Sequence, residues 1–216
     1  MLVDRSLYMA ISTLTNITVP LANDTSATNQ GLLMPKLQYR FRITLENFGV
    51  SNETQELTKQ VIDASRPTIS FENQELHVYN SKVNIAGKHS WNEVTVNLRD
   101  DVNGNVSKLV GEQLQKQFDF FEQASAASGI DYKFTQRLEI LDGGNGVNAP
   151  NVLETWEIYG AYLTSVDYGS VAYASSDPVT VALTIMYDNA IQTPVGTGVG
   201  STVARNVSSL STGGGS

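Results

Sequence analysis

Residues 37–46 read LQYRFRITLE, and they alternate without a break: Leu37, Tyr39, Phe41, Ile43 and Leu45 on one side, Gln38, Arg40, Arg42, Thr44 and Glu46 on the other. A period of two matches a strand and not a helix, so one face of this segment is built for a core and the other for water. The same alternation returns at Val94, Val96 and Leu98 against Glu93, Thr95 and Asn97, and again at Val179, Val181, Leu183, Ile185 and Tyr187. Residues 132–140 and 154–163 add strand signals, separated by the turn sequence DGGNG at 142–146. Residues 69–79 mix strand formers with polar side chains, and Gly87 is the expected turn between that strand and the one after it. Charged residues make up only 17% of the chain, which leans further toward sheet and turn.

Helical periodicity is confined to one place. Val106, Leu109, Val110, Leu114, Phe118 and Phe121 recur at about 3.6 residues. This predicts one amphipathic helix over 106–128, with Asn103 or Asn105 available to cap its start and Gly129 to end it. Asp100 and Asp101 stand just before it, where carboxylates favour the positive end of a helix. The polar run SNETQELTKQ at 51–60 predicts a long loop or protruding hairpin. The expected fold is mainly β within the α+β class: an antiparallel β-sandwich or barrel with one amphipathic α-helix. Its expected limits are 35–192, with an N-terminal arm at 1–34 and a Gly/Ser/Thr-rich C-terminal arm at 193–216.

Chemistry-bearing residues are sparse. There is no cysteine and there are only two histidines, His77 and His89, neither with a second histidine at metal spacing. GTGVGS at 196–201 has no following Lys and no opening helix, so it is not a phosphate loop. DGGNG lacks the spaced carboxylates of a calcium loop. No cofactor, metal or catalytic residue is expected, and the chain is not expected to be an enzyme. The formal charge of −8 argues against a general grip on phosphate backbones. No secretion signal and no membrane anchor are read in the sequence.

Four segments resemble tail tube proteins of contractile-tailed bacteriophages in order and spacing. KVNIAGKHSWNEVTVNLRDD (82–101), followed by the helix, resembles the central segment of that family, and PKLQYRFRITLENF (35–48) its first core strand. WEIYGAYLTSVDYG (156–169) resembles its penultimate strand and DPVTVALTIMYDNA (177–190) its closing strand. The resemblance extends to type VI secretion and bacteriocin tube subunits. It implies hexameric rings in which sheets close across subunits, stacked into a hollow tube that conducts DNA. It also implies a surrounding sheath, baseplate and tail-terminator partners, and a place in the virion tail after assembly in the host bacterial cytoplasm. Under that expectation Glu93, Thr95, Asn97 and Glu157 are candidate lumen-facing residues, and the strand bearing Arg40 and Arg42 is a poorer one. Candidate inter-subunit residues are Phe48, Val50 and Leu57 in the polar excursion 48–65, and Leu7 and Tyr8 in the apolar part of the N-terminal arm. The alternative is a β-sandwich binding or adhesin module on a virion or cell surface.

Overall fold

A computed structural model describes residues 35–51, 54–142, 149–194 and 199–200. The chain divides into two compact units, residues 1–39 and 40–216, and every element below belongs to the second. The expected arm residues Leu7 and Tyr8, and most of the C-terminal arm, lie outside the described residues.

The elements in order are β1 (Phe41–Glu46), α1 (Thr54–Gln60), β2 (Val61–Ala64), β3 (Ile69–Val78), β4 (Ser81–Trp91), β5 (Val94–Arg99), α2 (Asn105–Gln117), β6 (Phe118–Asp119), β7 (Ala124–Ser125), α3 (Gly129–Tyr132), β8 (Phe134–Leu141), β9 (Val152–Asp167), β10 (Thr180–Met186) and β11 (Asn189–Pro194). Seven strands form one antiparallel sheet in the order β1-β8-β9-β10-β5-β2, with β11 also on β9. The long strand β9 is the spine. Its first part pairs with β8 and β11, through registers such as Leu138↔Trp156 and Ile191↔Glu157. Its second part pairs with β10, as in Leu183↔Val166.

The spine changes face halfway along. Glu154, Trp156 and Ile158 point inward, and after Gly160 the inward residues become Ala161 and Leu163. Gly160 has φ 65°, a left-handed conformation that a side chain resists. One bulged residue there lets two differently oriented half-sheets share a strand and one core. That core joins Ile43 and Leu45 of β1, Val94, Val96 and Leu98 of β5, Val181, Leu183 and Ile185 of β10, and Val106, Leu109 and Val110 of α2. Each fully buried aliphatic side chain contributes about 1.5–3 kcal/mol.

Several expectations are corrected. The polar excursion is no loop: it holds α1 and then β2, which adds to the β5 edge with Ala64↔Val96. There are three helices among the described residues, not one. The main helix stops at Gln117, because Phe118 takes extended backbone angles and starts a small hairpin. Gly129 opens α3 and does not close α2; Ser128 caps α3 by accepting the Ile130 N–H. Gly87 lies inside β4, where the register slips opposite Glu72, and the turn is at Tyr79 and Asn80. β11 crosses the expected core limit at 192.

Asp100 and Asp101 do what their position suggested. Asp101 Oδ1 accepts the Asn105 N–H at 2.8 Å, and Asp100 accepts the Ser107 hydroxyl. Gly104 occupies the cap position and offers no side chain, so the aspartates three and four residues upstream take over that role.

Candidate assembly surfaces

Hairpin β3–β4 is an exposed apolar feature of the described residues. It forms a two-stranded sheet of its own, outside the seven-stranded one. Cross-strand pairs Leu76↔Val83, Val78↔Ser81 and Gln74↔Ile85 put Leu76, Val78, Val83 and Ile85 on one side. These four side chains are 45–59% exposed. The other side carries Asn73, Glu75, His77, Lys82 and Asn84, with Lys82 Nζ 3.1 Å from Glu75. An isolated hairpin is marginal in water, and an amphipathic one with its apolar side bare is built to be covered. At its base His89 stacks loosely between Phe71 and Trp91, with ring centres 6.3 and 6.4 Å away.

The outward faces of the two half-sheets differ in chemistry. On the β1–β8–β9 half, Arg42 Nε donates to Glu139 at 2.7 Å, and Arg137 lies 3.1 Å from both Glu46 and Glu157. Tyr159 donates its hydroxyl to Glu157, which pushes the phenol pKa up. On the β5–β10 half the rows read Thr95, Thr184, Ser165 and then Asn97, Ala182, Asp167, with Asp63 accepting from Asn97 at 2.8 Å. No Lys or Arg interrupts those rows; Arg99 stands at the strand end. The four candidate lumen residues therefore divide. Thr95 and Asn97 lie on the β5–β10 half, whose same face ends in Arg99, and Glu93 just precedes β5; Glu157 sits beside Arg137 on the other half.

The candidate inter-subunit residues divide as well. Phe48 and Leu57 are each 1% exposed, and Phe48 stands edge-on to Phe134 at 5.0 Å. Both belong to the subunit's own core, so they are corrected as contact residues; Val50 is exposed. The backbone beside Val50 is clamped by α2. Glu112 accepts the N–H groups of Val50 and Ser51, each at 2.9 Å, and the Ser51 hydroxyl at 2.8 Å. Those bonds hold its carboxyl below the ordinary range. Gln113, fully buried, bridges Gly49 N–H and the Tyr132 carbonyl.

A second apolar feature went unread in the sequence because it was assigned to the helix. β6 and β7 form a tight hairpin with Phe120 60% and Phe121 95% exposed at its tip. Asp119 braces the tip by accepting the N–H groups of Phe121 and Glu122 and the Gln115 amide.

Among the described residues no group of three or more His, Asp or Glu is placed to hold a metal ion, and no helix is long and apolar enough to cross a membrane.

The fold recurs in components of contractile injection machines. No family profile and no curated protein sequence matches the chain. Solved structures do. The tube-terminating cap of the anti-feeding prophage superposes with a TM-score of 0.57 at 16% identity, over 79% of this chain and 98% of that one. A chain of the anti-feeding prophage baseplate gives 0.53 at 12% identity, over 77% and 100%. A chain of the sheath–tube complex of the PVC extracellular contractile injection system gives 0.53 at 16%, over 74% and 93%. These neighbours are structural components of such machines, and the chain shares their fold.

Proposed function

We propose that this chain is a structural subunit that assembles with copies of itself into hexameric rings, stacked as the inner tube of a contractile injection machine. A phage tail that conducts DNA falls within this reading. The observation that carries it is hairpin β3–β4, a ribbon whose apolar side chains Leu76, Val78, Val83 and Ile85 stand about half exposed, with no other described element paired to it. Polymerisation supplies the cover. Among the described residues β1 and β2 end the sheet, and closing such edges across copies removes a liability for uncontrolled pairing.

In this reading the β5–β10 face, with Glu93, Thr95 and Asn97, lines the channel. Its small hydroxyl, amide and acidic groups give a moving polyanion nothing to hold. The arginine-bearing face with Glu157 lies elsewhere, and sheath, baseplate and terminator components meet other surfaces. The regions 1–34 and 193–216 act as arms that carry polymer contacts.

Replacing Val83 and Ile85 with Glu tests the reading. Both are exposed in the subunit, so its thermal transition should persist while rings and tubes vanish under negative stain. Normal assembly by that variant contradicts the role given to the hairpin.

A further inference from the structure

Two exposed apolar features among the described residues have opposite shapes. One is the extended face of β3–β4, and the other is the compact Phe120–Phe121 knob. We propose that the knob of one copy seats on the apolar face of the hairpin of another copy, with Glu122 of the knob set against Lys88 at the base end of that face.

Three observations converge on a second copy as the occupant. The knob is rigid before it binds: Asp119 fixes two backbone N–H groups of the tip, and the Phe118 and Phe120 rings meet edge-on at 5.3 Å. Aromatic side chains held in place without a partner lose little freedom on docking and are typical interface anchors. The hairpin offers a matching surface, a strip of Leu76, Val78, Val83 and Ile85 between two hydrogen-bonded strands. The charges beside the two features are opposite as well. Exposed Glu122 follows the two phenylalanines, and exposed Lys88 lies at the bulge opposite Glu72, at the base end of the strip. Neither Glu122 nor Lys88 has an ion-pair partner among the described residues. Because knob and strip are different patches of one chain, the contact is heterologous, and repeated copies form closed rings or open stacks instead of a lone dimer.

The inference rests on the reading of the chain as a self-assembling subunit, and the test separates the two. The chain has no cysteine, so introduced thiols report one contact only. Phe121→Cys and Val83→Cys copies are mixed, assembled, oxidised and run on a non-reducing gel, with negative-stain images of the same samples. Melting curves matching the unaltered chain establish that both exposed positions tolerate the change. The expected result is a cross-linked pair at least tenfold more abundant in the mixture than in either variant alone. Glu122→Lys on the knob copy should reduce it, and Lys88→Glu on the hairpin copy should restore it. Rings or tubes without cross-linking in the mixture overturn the contact and leave the tube reading standing. Strong cross-linking of Val83→Cys alone also overturns it, since the hairpins then meet each other. Failure of the unaltered chain to assemble overturns both.

Discussion

Gly160 and Asp188 are interlocked: a Cβ on Gly160 would lie 2.2 Å from Asp188 Oδ2. Asp188 is held there from two sides. Its N–H donates to the Tyr159 carbonyl at 3.1 Å, and its carboxylate meets Lys133 Nζ at 2.6 Å. The start of β11 is thus fastened against the point where the spine strand changes face.

Gly160→Ala should therefore be among the most damaging single substitutions. A left-handed conformation costs a side chain about 1–2 kcal/mol, and the clash with Asp188 adds to it. We expect a fall in Tm of about 6 °C or more, read by thermal denaturation. In an Asp188→Ala background the same substitution should cost only the backbone strain. Equal losses in both backgrounds would show that the clash does not matter.

Glu112 should make the subunit acid-sensitive. Its carboxyl sits below its ordinary value of 4.5 because the backbone N–H groups of Ser51 and Val50 and the Ser51 hydroxyl bind the charged form. A lowered folded-state pKa means the stabilisation is complete above about 4.5 and is lost as pH falls through the lower folded value. Glu112→Gln should then lower Tm by ~2–4 °C at pH 7, and the difference should shrink progressively as the pH falls below 4.5. A pH-independent loss would contradict this account of the clamp.

Gln136 is fully buried on β8, and neither atom of its amide has a hydrogen-bond partner among the described residues. An unpaired buried amide costs roughly 1–3 kcal/mol. Gln136→Met, similar in length and apolar, should raise Tm; a marked drop would mean that the amide is satisfied.

These sites also mark how far the sequence could be read. The strands of the main sheet were legible because their inner faces alternate over several residues, as in Ile43 and Leu45 or Val181, Leu183 and Ile185. Helix α1 was not, because Leu57 is its one strongly apolar residue and tertiary packing, not periodicity, makes it helical. The end of α2 was misplaced for a local reason: Phe118 and Phe121 continue a helical spacing, yet Asp119 uses its carboxylate to build a turn. The hairpin β3–β4 hid its apolar face because that face has only two apolar residues on each strand, Leu76 and Val78 against Val83 and Ile85, among polar neighbours. Of the candidate surface residues, Thr95 and Asn97 were placed on one face by period two alone, while burial of Phe48 and Leu57 depends on α2 packing over them. Spacing within a strand cannot report that.

If the β5–β10 face lines a channel, adding cations to it should create affinity where there was little. Tubes carrying Glu93→Lys and Thr95→Lys should retain short duplex DNA in a salt-sensitive way, and unaltered tubes should not. Tight, salt-sensitive binding by the unaltered tube would sink the idea of a non-sticking conduit.

The most direct test of the central claim is electron microscopy of the purified full chain at increasing concentration, with single-particle averaging of the assemblies. The account predicts six-fold rings with a central hole, stacking into tubes, with hairpin β3–β4 covered by a neighbouring copy. A chain that stays monomeric at every concentration, or assembles with that hairpin still bare, would contradict it.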